Sequence, residues 1–579
     1  MSASLNTALL VLAPGVPLLL GVLWSIPRLR RQVGRLTPWA ALPALLLALV
    51  GRPGEAVELS WLLFGGFLGL TPTSQVFLFF TALIWFAAGI HGRRHLEQGS
   101  HCERFCVFWL FTLAGNIALI VALDVALFYT GFALMTFAAY GLIVHDGSER
   151  ARRAGRVYLV LAVLGEALIL AGLILAARAT AAPLLPMLGE LPQAIAGAPE
   201  RNVIIACLWL GFGVKAGLPL LHFSLPLAYG AAPVSVAAAL AGAMIKAGLL
   251  GWLVTLPLGA DVFPGWGEAI IVTGLFAAFF GALVGVHQKQ PRIVLAYSSI
   301  SQMGLISVAI GAWMTFPALG PLLATAITIY AFHHALAKAA LFLGTDVVRH
   351  RTRGFATWLW IGLSIPALAL AGLMPSGLIA KGSLKDALAA AEAAPEAWQQ
   401  LPLLLALAAV GTTALMARHL WLLRLEAAQD DAPSGAWYGW ALVTAASLFG
   451  ILLLPLWGMH GHWPFAAKDL VATVWPVAMG GLLAVIAWRL LRPWPVPPAD
   501  VLELLTPLPC LAVRAGRAVG VTGPAIRQLL RHLQAMVLAG YQRADHRLGR
   551  FTEHLWRRDA SLLFALLLAV LALAALHLS

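Results

Sequence analysis

Charged residues are scarce in this 579-residue chain. Asp, Glu, Lys and Arg make up 11% of it, whereas a soluble domain has about 25%. Hydrophobic residues make up 61%, and the mean hydropathy is +0.87. A water-soluble fold cannot hide so large a share of apolar surface, so the sequence predicts a polytopic membrane protein. Its length does not require several domains, because one helical bundle can accommodate it.

The sequence also lacks the signatures of several kinds of site. It has no phosphate-binding glycine loop, no dinucleotide fingerprint and no nucleophile elbow. Of its four cysteines, Cys102 and Cys106 lie beside His101 in the segment HCERFC. That spacing does not fit the usual zinc or iron–sulfur pairs, and no second pair exists. We therefore expect no metal, no cofactor and no redox centre in this chain.

The formal net charge of +13 does not indicate nucleic-acid binding. Most arginines fall in short loops between apolar segments, which is the pattern of membrane topology. The N-terminal segment, residues 1–25, has no basic n-region and no small-residue cleavage site. It therefore predicts a first membrane span rather than a signal peptide.

Apolar segments recur along most of the chain. A helix needs roughly 20 apolar residues to cross the hydrocarbon core, and about sixteen segments approach this length. They are predicted near residues 6–26, 37–51, 72–91, 105–122, 124–145, 156–178, 202–219, 234–256, 268–286, 293–313, 317–344, 355–378, 400–424, 436–457, 469–491 and 560–578.

Basic and acidic residues alternate between the connecting loops. Loops after odd-numbered spans contain clusters such as Arg93 and Arg94 or Arg351 and Arg353, whereas loops after even-numbered spans carry acids such as Glu55. Lys and Arg stay on the cytoplasmic side of a membrane. The alternation therefore predicts cytoplasmic odd loops and an N-terminus outside. We expect the membrane to be a bacterial inner membrane.

The segment 499–556 has a different pattern. It follows the proline-rich stretch RPWPVPPAD, and its apolar residues recur at helical spacing while arginines occupy the other faces. This pattern predicts an amphipathic helix along the cytoplasmic membrane surface or against a neighbouring subunit. A cytoplasmic loop held by anionic lipid is the alternative. A last span is predicted from Ala560.

Ionisable residues lie inside the apolar segments. The stretch GVKAGLPLLHFSLPLAYGAAPVSVAAALAGAMIKAG contains Lys215, His222 and Lys246, and its prolines predict a broken helix. A charge at mid-membrane costs on the order of 3 kcal/mol, so such residues are functional candidates. Low dielectric disfavours an ammonium and a nearby carboxylate favours it, so a buried lysine can act in a proton relay. Snorkelling to the interface is the alternative, and it suits Lys215 better than Lys246.

A second group of candidates lies in IYAFHHALAKAALFLG. Tyr330, His334 and Lys338 are four residues apart, which places them on one helix face, and His333 is beside them. Histidine titrates near neutral pH and can pass protons through either ring nitrogen. No carboxylate or cysteine accompanies the pair, so a haem or metal role is disfavoured.

The stretch LMPSGLIAKGSLKDAL repeats the earlier pattern. An apolar helix is predicted to be interrupted at Pro375 and Gly377 and is followed by Lys381, Lys385 and Asp386. Two broken helices that carry lysines, at comparable places in two halves, indicate an internally repeated transporter. Lys385 and Asp386 are better explained as a solvated helix end, whereas Lys381 stays a candidate.

Two acids complete the set of candidates. Glu166 lies midway along the sixth span, and Asp124 lies at the start of the fifth. A lone carboxylate there would be protonated unless a cation were near, and Lys215 is the natural partner of Glu166. The polar residues of AYSSISQMG are predicted either to line a hydrated path or to join helices by hydrogen bonds.

These segments, in this order, resemble the proton-conducting antiporter-like family. The family includes large membrane subunits of respiratory complex I, Mrp cation/proton antiporters, group-4 hydrogenases and formate hydrogenlyases. The resemblance covers roughly residues 65–424 and implies an all-α polytopic fold with about 14 core transmembrane helices and two inverted five-helix repeats. Some members also carry a C-terminal lateral helix and an extra transmembrane helix, which the segment after Pro493 resembles.

The resemblance implies a division of the chain and a role for each candidate. The parts are N-terminal helices (1–104), a first repeat (105–256), a second repeat (268–424), C-terminal core helices (436–491) and the lateral segment with its terminal helix (499–579). By motif match, Lys215 is the broken-helix lysine, Lys246 the central-axis lysine, His334 and Lys338 the linking residues, and Lys381 the exit-side lysine. The secondary candidates are His222, His333 and Asp124.

One departure from the family pattern concerns the fifth span. The family usually has a glutamate there, paired with the broken-helix lysine, but FYTGFALMTFAAY places Ala133 at that position. Either Glu166 supplies the charge from the next helix, or the first half-channel has altered gating.

The resemblance implies a subunit that translocates protons, or exchanges protons for monovalent cations, within a complex-I-like or hydrogenase-like assembly. The implied partners are other membrane subunits, a peripheral cytoplasmic module and membrane lipid, and no nucleic acid. Two alternatives stay open: an energy-coupling subunit for bicarbonate or CO2 accumulation, and a structural membrane anchor that has lost transport.

Overall fold

Helices dominate the structure, because backbone groups inside a membrane must be paired within their own segment. The structure, a computed structural model, describes residues 3–60, 65–93, 102–181, 186–349, 356–390, 396–426, 437–461 and 467–490. Thirteen helices in these ranges are long and apolar enough to cross a membrane. The predicted all-α polytopic membrane fold is confirmed. The fourteen core helices, the two inverted repeats and the domain boundaries stay predictions.

The N-terminal part combines helices with one small hairpin. Its helices are α1 (Ala3–Leu23), α2 (Arg30–Leu36), α3 (Leu42–Val50), α4 (Pro72–His91) and α5 (Cys102–Val121). Between α3 and α4, strands β1 (Ala56–Leu59) and β2 (Gly66–Gly69) pair in antiparallel register, with Ala56 opposite Gly69. A capping box formed by Thr71 and Ser74 fixes the start of α4.

The next part contains the first group of candidates. Its helices are α6 (Val125–Ile143), α7 (Glu149–Arg178), α8 (Leu191–Gly197), α9 (Arg201–Ala216), α10 (Ser224–Ala231), α11 (Val234–Ala239) and α12 (Ile245–Thr255). Helices α7 and α9 approach closely at two glycines: a Cβ on Gly211 would lie 3.0 Å from the carbonyl oxygen of Gly165. Small residues allow this contact, and it brings Glu166 beside the end of α9.

The remaining described part contains the second group. Its helices are α13 (Pro264–Val286), α14 (Pro291–Thr315), α15 (Gly320–Arg349), α16 (Ala356–Ala371), α17 (Pro375–Ala389), α18 (Glu396–Gln399), α19 (Leu401–Glu426), α20 (Trp437–Phe449) and α21 (Ala467–Leu490). The apolar windows of α14 and α15 are entirely buried, so these two helices form the centre of the bundle.

Several predicted spans differ from the observed helices. The span predicted at 156–178 begins earlier, at Glu149, because the Ser148 hydroxyl caps the helix by accepting a hydrogen bond from the amide of Ala151 at 3.1 Å. The span predicted at 202–219 is the 16-residue helix α9, which is short for a membrane crossing. His101, the lateral segment 499–556 and the last predicted span lie outside the described residues.

Candidate functional site

The first interruption of a membrane helix lies just after Lys215. Helix α9 ends one residue later, and Gly217 has φ +86°, a left-handed conformation that glycine tolerates. Pro219 has no amide hydrogen with which to continue a helix, and Leu220 follows with φ +68°. The chain resumes as α10 at Ser224. The predicted broken helix is therefore confirmed.

Aromatic side chains hold the amine of Lys215. Its Nζ donates a hydrogen bond of 2.9 Å to the hydroxyl of Tyr158, whose own hydrogen is donated to the carbonyl of Thr136 at 2.8 Å. The Nζ atom also lies 5.0 Å from the centre of the Tyr158 ring and 5.9 Å from that of Phe132. Both distances are within the range in which a ring attracts a cation. Lys215 is thus anchored by Tyr158 of α7.

Glu166 lies on the same helix as Tyr158 and is 5% exposed. Both of its carboxylate oxygens are buried with no hydrogen-bond partner among the described residues, and no ion pair within 4.0 Å joins it to Lys215 in that part of the chain. Glu166, Lys215, Thr136 and Tyr229 line one cavity of about 30 Å³. A water needs roughly 10–15 Å³, so the cavity has room for about two or three. The acid and the amine predicted as partners therefore face each other across this cavity without direct contact.

The next candidate, Lys246, follows a π-helical turn. Helix α11 passes into a π segment, Leu240–Met244, which leads into α12. In a π turn each carbonyl accepts a hydrogen bond from the amide five residues ahead, whereas in an α-helix it accepts from the amide four residues ahead. The pairing of the carbonyls therefore changes where the π segment joins α12. The carbonyl of Ala241 accepts a hydrogen bond of 3.3 Å from Lys246 Nζ. Lys246 is 1% exposed, so its side chain is buried inside the protein.

Lys246 also contacts a histidine of another helix. Its Nζ lies 2.5 Å from Nδ1 of His334, and this contact joins α12 to α15. His334 is fully buried, and its Nε2 has no hydrogen-bond partner in the described part of the chain. An ammonium donates to a neutral imidazole, and a neutral amine accepts from one, so this contact is compatible with a proton on either residue. Each member of the pair can carry the proton that lies between them.

Helix α15 contacts both interrupted helices. His334 faces Lys246 after the first interruption, whereas Nδ1 of the adjacent His333 lies 3.1 Å from Oγ of Ser376 in α17. Neighbouring residues on a helix point in directions about 100° apart, which is why two adjacent histidines reach two different helices. The structure therefore places the histidine pair between Lys246 and helix α17, which carries Lys381.

Polar residues of α14 contact α15 from a third direction. Lys338 Nζ donates a hydrogen bond of 2.8 Å to the carbonyl of Leu295. The hydroxyl of Tyr330 donates to Oε1 of Gln302 at 2.7 Å, and Nε2 of Gln302 donates to Oγ1 of Thr412 in α19 at 2.8 Å. Gln302 thus joins three helices, which is one of the two roles predicted for the AYSSISQMG stretch.

The second interruption lies slightly earlier than predicted. Helix α16 ends at Ala371, Gly372 has φ +112°, and α17 already begins at Pro375. The prediction that Gly377 breaks the helix is wrong, since this residue lies inside α17. A Cβ on Gly377 would collide with the carbonyl oxygen of Ala369, so close packing of α17 on α16 explains this glycine.

Lys381 binds the end of the interrupted helix. Its Nζ donates a hydrogen bond of 2.9 Å to the carbonyl of Ala371, one of the carbonyls that a helix end leaves without a helical partner. Lys381, Tyr330, Lys385 and Asp386 line a second cavity of about 70 Å³. Asp386 is exposed and Lys385 is half-buried, as expected for the end of a helix.

The secondary candidates His222 and Asp124 lie in different surroundings. The ring of His222 is 1% exposed and packs 5.3 Å, centre to centre, from that of Phe280. Asp124 caps α6, since its Oδ1 accepts a hydrogen bond from the amide of Leu127 at 2.8 Å and its Oδ2 accepts from the amide of Phe67 at 2.7 Å. These bonds account for the buried carboxylate of Asp124 without a transport role.

Sequence reasoning missed two features of this site. Tyr158 binds Lys215, and the only signal for it was its position about two helical turns before Glu166. The π segment before Lys246 has no signal in the sequence that we can identify. Within the described ranges, no group of three or more His, Cys, Asp or Glu side chains is arranged to hold a metal ion.

The fold and the buried amines define a class: a helical membrane protein with interrupted helices around a chain of titratable side chains. Residues 122–375 match the family described as NADH:quinone oxidoreductase/Mrp antiporter, transmembrane. This match confirms the resemblance that the sequence motifs indicate.

Two curated relatives illustrate the similarity. The chain is 26% identical over 345 residues to an F(420)H(2) dehydrogenase subunit of Methanosarcina mazei, and the match covers 59% of this chain and 69% of the relative. It is 30% identical over 301 residues to a Na(+)/H(+) antiporter subunit of Alkalihalophilus pseudofirmus, and this match covers 48% of this chain and 58% of the relative.

The structural similarity extends further along the chain. A chain in the structure of the Mrp complex from Dietzia sp. DQ12-45-1b matches with a TM-score of 0.71 and 22% identity, over 99% of this chain and 63% of that chain. At this identity the match shows the fold. The chain thus spans about three fifths of the antiporter subunit and of the Mrp chain that it matches.

Proposed function

We propose that this chain is a proton-translocating membrane subunit of a multisubunit complex. It moves protons, or exchanges protons for monovalent cations, through Lys215, Glu166, Lys246, His334, Lys338 and Lys381. The contact between Lys246 and His334 carries the proposal, because it joins two buried groups that each bind and release protons. The family match and the names of the relatives support the same function.

The arrangement of the other groups supports a path through this contact. One cavity lies beside Lys215 and Glu166, and the other lies beside Lys381. The first cavity is also lined by Ile245, the residue before Lys246. Water in such cavities can carry a proton between side chains that do not touch. We infer a route from the Glu166 cavity through Lys246 and His334 towards the Lys381 cavity.

The setting of the subunit is part of the proposal. The alternation of basic and acidic loops favours an N-terminus outside. We propose a bacterial inner membrane as the location. The relatives named above are subunits, and the Mrp structure is that of a complex. We therefore propose other membrane subunits, membrane lipid and a peripheral cytoplasmic module as partners.

The function is tested with the native complex purified through this chain and reconstituted into vesicles containing a pH-sensitive dye. A potassium diffusion potential drives protons inward, and the dye reports the flux. We expect Lys246→Ala to abolish the flux. Lys246→Arg should fail as well, because a guanidinium keeps its proton in proteins. The control is Lys289→Ala, which removes an exposed lysine in the loop after α13.

Each outcome of this experiment has a clear meaning. Flux in Lys246→Ala equal to that of the unchanged complex would remove Lys246 from the path. A native complex with no flux above protein-free vesicles would favour the structural anchor. The masses of the co-purified subunits separate the remaining alternatives, since a carbonic-anhydrase-like partner would indicate inorganic-carbon uptake.

A further inference from the structure

We propose that Tyr158 is a positioning residue that, with Phe132, holds the ammonium of Lys215 away from Glu166 until the carboxylate draws it across the cavity. The inference rests on the proposed function and explains how its first half works without an acid at Ala133. We call the Tyr158 hydroxyl and the two rings the aromatic cradle.

The position of Lys215 is the first observation. Its amine has a hydrogen bond to the Tyr158 hydroxyl and lies near the faces of two rings, while Ala133 in the adjacent helix offers no charge. A ring face attracts a cation electrostatically but without a formal charge. The cradle therefore holds the ammonium more weakly than a contacting carboxylate would.

The carboxylate of Glu166 is the second observation. It is buried beside the same cavity, and neither oxygen has a hydrogen bond of normal geometry among the described residues, although the Thr136 hydroxyl lies close enough to interact with it. A buried carboxylate without a partner favours the approach of a cation or of a proton. The other titratable groups that face this cavity are the hydroxyls of Tyr158 and Tyr229, and Tyr129 of α6 lies close enough to interact with Glu166.

The hydrogen bonds of Tyr158 fix the orientation of its hydroxyl group. The hydroxyl donates its hydrogen to the carbonyl of Thr136, so its lone pairs point to Lys215 and accept the ammonium. When Glu166 is ionised, the ammonium can leave the hydroxyl, cross the cavity and give one proton to the carboxylate. Lys215 is then a neutral amine and Glu166 a neutral acid, so charge and atoms balance.

A cross-linking experiment tests the cradle independently of transport. Dicyclohexylcarbodiimide, an apolar reagent, activates a buried carboxyl group and links it to an amine in contact, with loss of one water to the reagent. We expect little Glu166–Lys215 amide in the native complex, detected by peptide mass. In Tyr158→Phe the amine loses its hydroxyl acceptor and moves towards Glu166. The amide yield, expressed relative to the unlinked N-acylurea adduct on Glu166, should therefore rise at least about threefold. Glu166→Gln should give none.

Transport supplies the second measurement. In Tyr158→Phe, Lys215 contacts Glu166 directly and its ammonium separates slowly from the carboxylate. The proton flux should therefore fall roughly tenfold, which is the size of effect expected for the loss of a hydrogen bond to a charged group. The acidic limb of the flux–pH profile should move to lower pH, because a paired carboxylate resists protonation. In the double variant that combines Tyr158→Phe with Glu166→Gln, the acidic limb should lie at the same pH as in Glu166→Gln alone. A merely structural role of Tyr158 would not produce this match.

The control makes the same chemical change elsewhere. Tyr438→Phe removes a hydroxyl from an exposed tyrosine of α20 and should change neither the amide yield nor the flux. Equal amide yield in Tyr158→Phe and in the native complex would overturn the cradle. If the native complex carries no flux but the amide yield rises as expected, the cradle stands and the proposed function fails. If Lys246→Ala abolishes flux and Tyr158→Phe resembles the native complex in both measurements, the proposed function stands and the cradle fails.

Discussion

The amine of Lys246 and the imidazole of His334 lie 2.5 Å apart although 88 residues separate them in the sequence. Each belongs to a different helix, α12 and α15, and both are buried. Low dielectric makes a charge on either group costly, so a single proton shared by the two limits the number of charges at this point. Both partners can bind and release that proton, which ordinary packing of helices does not require.

His334→Gln tests the histidine of this pair. The Gln carbonyl can still accept a hydrogen bond from Lys246, but it cannot bind and release a proton. We expect the proton flux to fall roughly a hundredfold, within the range of a lost acid–base group. The measurement is the dye-reported flux of the reconstituted complex. His287→Gln, at the end of α13, is the control, and unchanged flux in His334→Gln would argue against a proton on His334.

Glu166→Gln tests the acid of the first cavity. The change keeps the size of the side chain but removes its charge, so Lys215 has no carboxylate to move towards. We expect the flux to fall at least about tenfold. The control is Glu268→Gln, which makes the same change to an exposed acid near the start of α13 and should leave the flux unchanged. Retained flux in Glu166→Gln would remove this residue from the relay and leave the first cavity without an acid among its lining residues.

Asp124 is expected to act in folding rather than in transport. Asp124→Asn keeps an oxygen that can cap α6, whereas Asp124→Ala loses the cap and should lower the free energy of unfolding by about 0.5–2 kcal/mol. Thermal unfolding in detergent checks this difference. Flux per folded complex should stay within about twofold of normal in Asp124→Asn. A stable but inactive Asp124→Asn complex would instead indicate that the carboxylate takes part in transport.

Gly274 tests the close approach of α13 and α14. A Cβ at this position would lie 2.7 Å from the carbonyl oxygen of Gly304, so a larger side chain must push the helices apart. Gly274→Leu should cost about 1–3 kcal/mol of stability, as overpacking does. Gly481→Leu is the matched control, because nothing lies within 4 Å of the added Cβ. Equal unfolding temperatures for the two variants would show that the helices can separate without loss.

Much of the fold follows directly from the sequence. Apolar length predicts membrane helices because the bilayer allows few other structures, and glycine or proline beside a buried lysine predicts the two interruptions. The second interruption is predicted a few residues too late. A glycine in an apolar segment is compatible with a helix break or with close packing of helices. Gly377 lies in close contact with Ala369 of α16, and local sequence does not specify this neighbouring helix.

The sequence predicts which residues belong to the site better than it predicts which of them contact each other. Lys246 and His334 could be named because charged groups are rare in apolar helices, but their contact depends on how α12 and α15 pack. Tyr158 was overlooked, since a tyrosine in a membrane helix is common and carries no charge. The sequence predicts Glu166 as a buried acid, but the hydrogen bond of Lys215 to Tyr158 depends on how α7 and α9 pack.

The π segment Leu240–Met244 sets the direction in which Lys246 points. One extra residue in a helical turn rotates everything beyond it by about 100° around the axis. If this segment were rewound as a regular α-helix, the lysine would swing to a different side of α12 and lose the imidazole of His334. A local change of winding over five residues would then disconnect the two halves of the bundle, with no need for either half to move.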